Sequence, residues 1–311
     1  MDKGFAPAKV NLALHVTGRG EDGYHQLDSV IVFAGTGDQL SASPARDLSL
    51  AVSGPFAAGL PTGEENLVLR AARALRAARN VEKGAAVRLT KNLPHAAGLG
   101  GGSSDAAATL RLLAQFWGVE PLAPDAPEVL ALGSDVPVCL HAPAPVRMRG
   151  RGERVEPLPP VAPCGLVLVN PGVALGTREV FDRLDRRENP PLPDPLSERL
   201  APEAFAAWLK GCRNDLLAPA EALAPVVAEA LAQLRRNPAV LFATMSGSGA
   251  TCVGLTRDMA SARTAARAIQ LTRPRWWVAP APMLTADPAP ARASAADSGL
   301  GGATQASRAT T

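Results

Sequence analysis

Aromatic side chains are scarce in this chain: Phe, Trp and Tyr make up 4% of its 311 residues, and Tyr24 is the single tyrosine. A core must therefore rest on Ala, Leu and Val, which the 47% hydrophobic content allows. Cysteine is rare as well. Cys139, Cys164, Cys212 and Cys252 lie far apart and form no Cys-x-x-Cys, which excludes a disulfide framework and a zinc pattern. The four histidines, His15, His25, His95 and His141, include no His-Glu-x-x-His. No apolar run reaches the roughly 18 residues of a membrane span, and the opening Met-Asp-Lys-Gly-Phe-Ala-Pro has no signal-peptide apolar region. A net charge of +3 is too small to point to nucleic acid. The expectation is a cytosolic, reduced, globular protein of about two domains, with neither nucleic acid nor membrane as partner.

What is present centres on Pro94-His-Ala-Ala-Gly-Leu-Gly-Gly-Gly-Ser-Ser-Asp-Ala-Ala107. Gly98, Gly100, Gly101 and Gly102 let backbone approach a ligand closely. A helix-forming run follows, with Ser103, Ser104 or Asp105 as the expected N-cap. A glycine-rich turn opening a helix offers unpaired N–H groups and the positive end of the helix dipole, which suits phosphate. A Walker A loop needs a lysine after its last glycine, and no lysine lies between Lys91 and Lys210. A Gly-x-Gly-x-x-Gly fingerprint from Gly98 fails at Ser103.

Around this loop the pattern alternates between strand and helix. Residues 5–16 alternate as a strand, with Lys9, Asn11, Ala13 and His15 on one face. Arg19-Gly-Glu-Asp-Gly23 is a turn before Tyr24, and Ser29–Phe33 is a second strand. A turn is expected at Gly35–Asp38, then short strands at 39–43 and 48–52. Residues 66–79 read as a helix whose row of Arg70, Arg73, Arg76 and Arg79 is a solvated face. Residues 146–154 read as an exposed basic hairpin. The proline-rich stretch 157–163 marks a boundary between domains 1–157 and 164–279. The second holds a strand at 165–169, helices at 177–184, 202–210 and 213–236, the last open to interruption at Pro219 or Pro225, and a Gly/Ser turn at 245–250. A last helix at 260–271 and a strand near Trp276 close it. From Pro280 to Thr311 the composition predicts a disordered tail.

Three separated motifs now stand in order: Pro-Ala-Lys-Val-Asn-Leu12, the glycine-rich loop, and Met-Ser-Gly-Ser-Gly-Ala250. Together they resemble the GHMP kinases over about residues 5–279. Arg19-Gly-Glu-Asp-Gly-Tyr-His-Gln-Leu27 and Gly133-Ser-Asp-Val-Pro137 resemble the branch that phosphorylates a hydroxyl of a cytidine-diphosphate sugar alcohol. The resemblance implies a two-domain α+β fold with the active site in the inter-domain cleft, ATP and Mg²⁺ as cofactors, and a small-molecule substrate carrying cytidine diphosphate. It implies Lys9 and Asp135 as the catalytic pair, and Pro94, His95, Ala96, Ala97, Gly98, Leu99, Gly100, Gly101, Gly102, Ser103 and Ser104 as the ATP loop. Asn11, Tyr24, His25 and Phe181 become the substrate pocket, with Tyr24 and Phe181 enclosing the cytosine. Gly247, Ser248, Gly249 and Ala250 become the third motif. Val30-Ile31 stands where the family often carries an aromatic. No acidic cluster announces Mg²⁺ ligands, and monomer or homodimer stays open.

The residue types suit the chemistry. Phosphoryl transfer to an alcohol needs an acceptor for the hydroxyl proton, countercharge and tight positioning. Asp135 can accept the proton and Lys9 can supply the countercharge. The alternatives are another GHMP kinase, of homoserine or mevalonate type, or a non-catalytic nucleotide sensor. A sensor would have no chemical need for the Lys9/Asp135 pair.

Overall fold

The computed structural model describes residues 2–20, 23–193 and 199–285. Two long strands begin the chain. β1 (Asp2–Arg19) and β2 (His25–Ala45) pair antiparallel along almost their whole lengths. β3 (Leu48–Ser53), α1 (Leu67–Ala78), β4 (Gly84–Thr90) and α2 (Gly101–Trp117) follow. Next come α3 (Pro127–Leu130), α4 (Asp135–Cys139), β5 (Val146–Gly150) and β6 (Arg154–Pro157). The second half runs β7 (Gly165–Asn170), α5 (Thr177–Asp182), α6 (Pro202–Leu209), α7 (Leu217–Leu223), α8 (Val226–Arg236), β8 (Val240–Met245), β9 (Cys252–Thr256), α9 (Met259–Thr272) and β10 (Trp277–Leu284). No helix among the described residues is long and apolar enough to cross a membrane.

β2 is the spine. One edge carries β1; the other carries β5, β10 and β4 in succession. The sheet runs β3-β4-β2-β10-β7-β9-β8, so β10 joins the strands of the two halves. On one face α1 and α2 bury Val68, Leu75, Leu110 and Leu113 against Ile31, Phe33, Val87 and Leu89. On the other, Val10, Leu12 and Val32 share a cluster with Leu166, Leu168, Val253 and Leu255, closed by Phe205 and Leu209 of α6. A third cluster packs α8 and α9 on β7 and β9. Small side chains at Ala71, Ala72, Ala106 and Ala107, all fully buried, let α1 and α2 pack closely without aromatics.

Several expectations are corrected. The segment Gly35–Asp38 is not a turn but a bulged stretch inside β2. Its glycines serve close approach: a Cβ on Gly37 would collide with Ala6 O, and one on Gly35 would lie 2.6 Å from Pro282 of β10. The segment from 146 is a hairpin, but Arg147 is buried. Its Nε and Nη2 donate to the two oxygens of Asp28 at 2.7 and 2.6 Å. A buried guanidinium needs this bidentate partner, and charge alone does not report it. In the arginine row of α1, Arg70 donates to Ala131 O, Arg79 to Glu120 O and Pro121 O, and Arg73 pairs with Glu64. The row ties down neighbouring loops as well as facing water. Of the two prolines expected to interrupt the 213–236 helix, Pro225 does so as the N-cap of α8, whereas Pro219 lies inside α7.

The tail does not begin at Pro280. β10 continues to Leu284, pairing with β7 and then with Phe33 and Ala34 of β2. Ala281 and Met283 alternate inward and are buried. A composition argument misses them because two apolar side chains suffice when the sheet supplies the hydrogen bonds. The rest of the expected tail, from residue 286, lies outside the described residues. Ending the chain after Ala279 should lower the melting temperature by about 5 °C relative to ending it after Thr285, since burying Ala281 and Met283 is lost. Equal melting temperatures would show that the strand end contributes nothing.

His15 is a second structural device. Its Nε2 accepts from Arg213 N at 3.1 Å, so Nδ1 carries the proton and donates to Pro190 O at 3.0 Å. The ring latches two loops to β1 and is used up in its neutral form. Burial, then the charge of Arg213, lower its pKa below the ordinary 6.5, against the opposing pull of Pro190 O and Asp215. The unfolded chain takes up this proton near pH 6.5 and the folded chain only at lower pH. Below 6.5 the unfolded state therefore binds more protons, and stability falls as pH falls. The urea-unfolding advantage of wild type over His15→Gln should shrink from pH 7.5 to pH 5, by up to about 1.4 kcal/mol per pH unit. A gap independent of pH would remove the latch.

Candidate active site

Lys9 sits midway along β1 with only 7% of its side chain exposed. Its Nζ lies 3.0 Å from Asp135 Oδ2 and donates to Asn11 Oδ1 at 3.2 Å. Alternation along β1 places Lys9 and Asn11 together. Asp135 arrives from α4 as its first helical residue, with its side chain about one-third exposed. The sequence places these two charges more than a hundred residues apart, and the fold brings them into contact.

The glycine-rich segment is a loop from Pro94 to Gly100 followed directly by α2. The N-cap is Gly100, in the left-handed region at φ 58°, with no side chain capping the helix. This corrects the expectation that Ser103, Ser104 or Asp105 would cap. Those side chains lie inside the first turns, where two of them have other partners. Ser104 Oγ donates to Pro7 O at 2.7 Å and is buried. Asp105 Oδ2 accepts from Lys91 Nζ at 2.7 Å. Because the first helical hydrogen bond is Ser104 N to Gly100 O, the amides of Gly101, Gly102 and Ser103 have no intrahelical partner. All three residues line the cleft, as do Pro94, His95, Ala96, Ala97, Gly98 and Leu99. Glycine is required at Gly98, where φ is 71° and a Cβ would strike Ser246 O.

The third motif packs against that loop. Ser246 Oγ donates to Gly98 O at 2.8 Å and accepts from Asn11 N at 3.0 Å, tying all three motifs through one hydroxyl. Asn214 Nδ2 donates to Met245 O and Gly247 O at 2.8 and 2.9 Å. Gly247 and Ser248 line the cleft, and Ser248 Oγ lies 3.0 Å from Thr177 Oγ1 of α5. Gly249 and Ala250 lie behind that wall, Ala250 fully buried. The cleft measures about 470 Å³.

A larger pocket of about 1100 Å³ opens beside it and shares Leu27, Ser134, Thr177 and Phe181 as walls. Tyr24 and His25 line this second pocket. Tyr24 is 63% exposed, with the Arg151 guanidinium 5.1 Å from its ring centre. His25 stacks on Phe181 at 4.8 Å, and its Nε2 is buried without a hydrogen-bond partner. Such an atom is a place for a ligand's polar group. Burial first, then Arg187 and Arg19, lower the His25 pKa, so the ring is neutral at physiological pH. Val30 and Ile31 line neither pocket; both are core residues.

Beneath the loop lies a buried charge cluster that sequence reasoning missed. Lys91 pairs with Asp38 and Asp105, and Asp38 Oδ1 accepts from Leu93 N at 2.9 Å. Burial alone would lower the Lys91 pKa, but Asp105 and Asp38 outweigh it and hold it above the ordinary value. Burial pushes the Asp105 carboxyl up to about 7 against the pull of Lys91. Ser134, Thr177, Asn214 and Ser246 were also missed. The scarcity of lysine was the available signal for Lys91; Asn214 carried none.

This geometry has relatives. The model of the GHMP kinases N terminal domain matches residues 66–142, and that of the GHMP kinases C terminal domain matches 197–272. A 4-diphosphocytidyl-2-C-methyl-D-erythritol kinase of Cereibacter sphaeroides is 54% identical over 284 residues, covering 91% of this chain and 99% of that protein. One of Jannaschia is 51% identical over 284 residues, covering 91% and 98%. A crystal structure of 4-(cytidine 5'-diphospho)-2C-methyl-D-erythritol kinase superposes with a TM-score of 0.73 at 33% identity, covering 90% of this chain and 98% of that one. A homoserine kinase from Cytophaga hutchinsonii shares the fold at a TM-score of 0.61 and 17% identity, covering 91% and 94%. With both domain models in order and relatives more than half identical along nine-tenths of its length, the chain belongs to the GHMP kinases, within the family of 4-diphosphocytidyl-2-C-methyl-D-erythritol kinases.

Proposed function

We propose that this protein transfers the γ-phosphoryl group of ATP to a hydroxyl of 4-diphosphocytidyl-2-C-methyl-D-erythritol. The resemblance implies the 2-position and a place in the non-mevalonate isoprenoid precursor route. The observation that carries the reading is the Lys9–Asp135 pair, 3.0 Å apart and lining the cleft at the N-terminus of α2. A nucleotide-binding sensor has no need of a carboxylate and an ammonium at that point.

The roles follow from position. The amides of Gly101, Gly102 and Ser103 and the dipole of α2 hold the triphosphate. The second pocket holds the cytidine diphosphate end, its base between Tyr24 and Phe181 and a polar atom on His25 Nε2. That leaves the sugar alcohol at the shared wall of Ser134 and Thr177, next to Asp135. Asp135 accepts the hydroxyl proton as the oxygen attacks phosphorus. Lys9 neutralises charge on the transferring group. Among the described residues no three His, Cys, Asp or Glu side chains gather to hold a metal. Mg²⁺ would enter the cleft with the triphosphate, and the oxygens of Ser103 and Asp135, which line it, would hold it from the protein side. Bound there, it would offset phosphate charge.

Asp135→Asn should lower kcat by roughly 10²–10⁴-fold, while the Kd for ATP stays within about threefold, because the triphosphate is held by α2 and its loop. Near-normal turnover would remove Asp135 from the chemistry. Removing the cytidylyl group should also be costly. Bare methylerythritol phosphate should show kcat/KM lower by at least about fivefold, the least that one stacked base contributes. Equal values for the two acceptors would contradict the substrate assignment.

A further inference from the structure

Behind Lys9 runs a short relay that starts at the cleft wall, which Lys9 and Asn11 line, and ends at Ser29 and Ala13, outside both pockets. Asn11 Oδ1 accepts from Lys9 Nζ at 3.2 Å, and Asn11 Nδ2 donates to Ser29 Oγ at 2.7 Å. Ser29 Oγ in turn donates to Ala13 O at 2.6 Å. Both ends of the relay are fixed by atoms that cannot exchange roles. An ammonium only donates, and a backbone carbonyl only accepts. The single Ser29 proton is committed to Ala13 O, so its oxygen must receive the Asn11 amide. Ser29 and Ala13 are fully buried and Asn11 is nearly so, so water does not substitute for any link.

The backbone explains why the relay closes here. The β1–β2 register shifts between Asn11 and Ala13: Asn11 stands opposite Ile31, Ala13 opposite Val30 and Leu14 opposite Ser29. This bulge sits in β1 just after the catalytic face carrying Lys9 and Asn11, and bulges re-aim neighbouring groups.

We propose that Ser29 is a positioning residue for phosphoryl transfer: its hydroxyl holds the Asn11 amide, which holds the Lys9 ammonium against Asp135. The proposal rests on the kinase reading given above. Removing the hydroxyl leaves Asn11 Nδ2 as a buried donor without a partner. The amide then rotates towards another acceptor, and Lys9 loses its second contact. Ser29 touches neither substrate, so the loss falls on the chemical step.

The test is Ser29→Ala in the full chain, assayed with ATP and the diphosphocytidyl acceptor and also crystallised. The expected result is a fall in kcat on the order of ten- to a hundredfold, with KM for both substrates within about threefold and Asn11 Oδ1 turned away from Lys9. In an Asn11→Asp background, whose carboxylate has no N–H to satisfy, the same substitution should cost less than about threefold. Wild-type kcat in folded Ser29→Ala, or an equal loss in the Asn11→Asp background, overturns the proposal. If Ser29→Ala does not fold, Ser29→Cys, which keeps the volume but bonds weakly, carries the same expectation. If Asn11→Asp is too slow to assay, the crystal structure decides: an Asn11 amide unmoved from Lys9 overturns the proposal. Absence of transfer by the wild type would end the kinase reading and leave that structural comparison standing.

Discussion

A buried ammonium is the constraint on which this site depends. Lys9 lies on the central strand pair, where its charge cannot be satisfied by bulk water, and an unpaired buried charge is intolerable to a folded chain. The fold must therefore bring it a carboxylate and an acceptor amide. Asn11 comes from the same strand, and Asp135 comes from a short helix far along the chain. The phosphate loop is fixed to the same point, because Lys9 N donates to Leu99 O at 2.9 Å. The helix N-terminus, the ammonium and the carboxylate thus meet at one place, and a reacting phosphoryl group would find donors, countercharge and a base without rearranging them.

The loop is held from below by a second buried ammonium. Lys91 joins Asp38 on β2 to Asp105 on α2, while Asp38 also accepts from the backbone that enters the loop. From above, Ser246 and Asn214 pin the third glycine motif to β1 and to the loop. The loop is therefore rich in glycine yet anchored at both ends. Glycine here provides close approach rather than mobility. The continuity of the sheet through β10 and the shared cluster beneath α6 keep the two halves of the chain at a set distance across the cleft.

Much of this could be read from the residues. Alternation along residues 5–16 placed Lys9 and Asn11 on one face, and the glycine-rich stretch announced a helix N-terminus suited to phosphate. What escaped was long-range. Gly35 and Gly37 look like a turn because glycine is permissive, and only the approach of Ala6, Pro7 and Pro282 shows that they serve a bulged strand. Arg147 looks like surface charge, and only the position of Asp28 makes it a buried partner. Residues 280–284 have the composition of a tail, but β2 and β7 convert them into a strand. The relatives speak for the kinase family as a whole, while the roles proposed for Lys9, Asp135, Tyr24 and Phe181 draw on the resemblance and on the pockets these side chains line.

Cooperation between Lys9 and Asp135 is the central claim, and a double-mutant cycle on kcat measures it most directly. Lys9→Met, Asp135→Asn and the double variant would be compared with wild type under saturating ATP and diphosphocytidyl acceptor. If the pair acts as one unit on the transferring phosphoryl group, the double variant loses about as much as the worse single variant. Losses that simply multiply would contradict a joint role and leave the two charges acting independently.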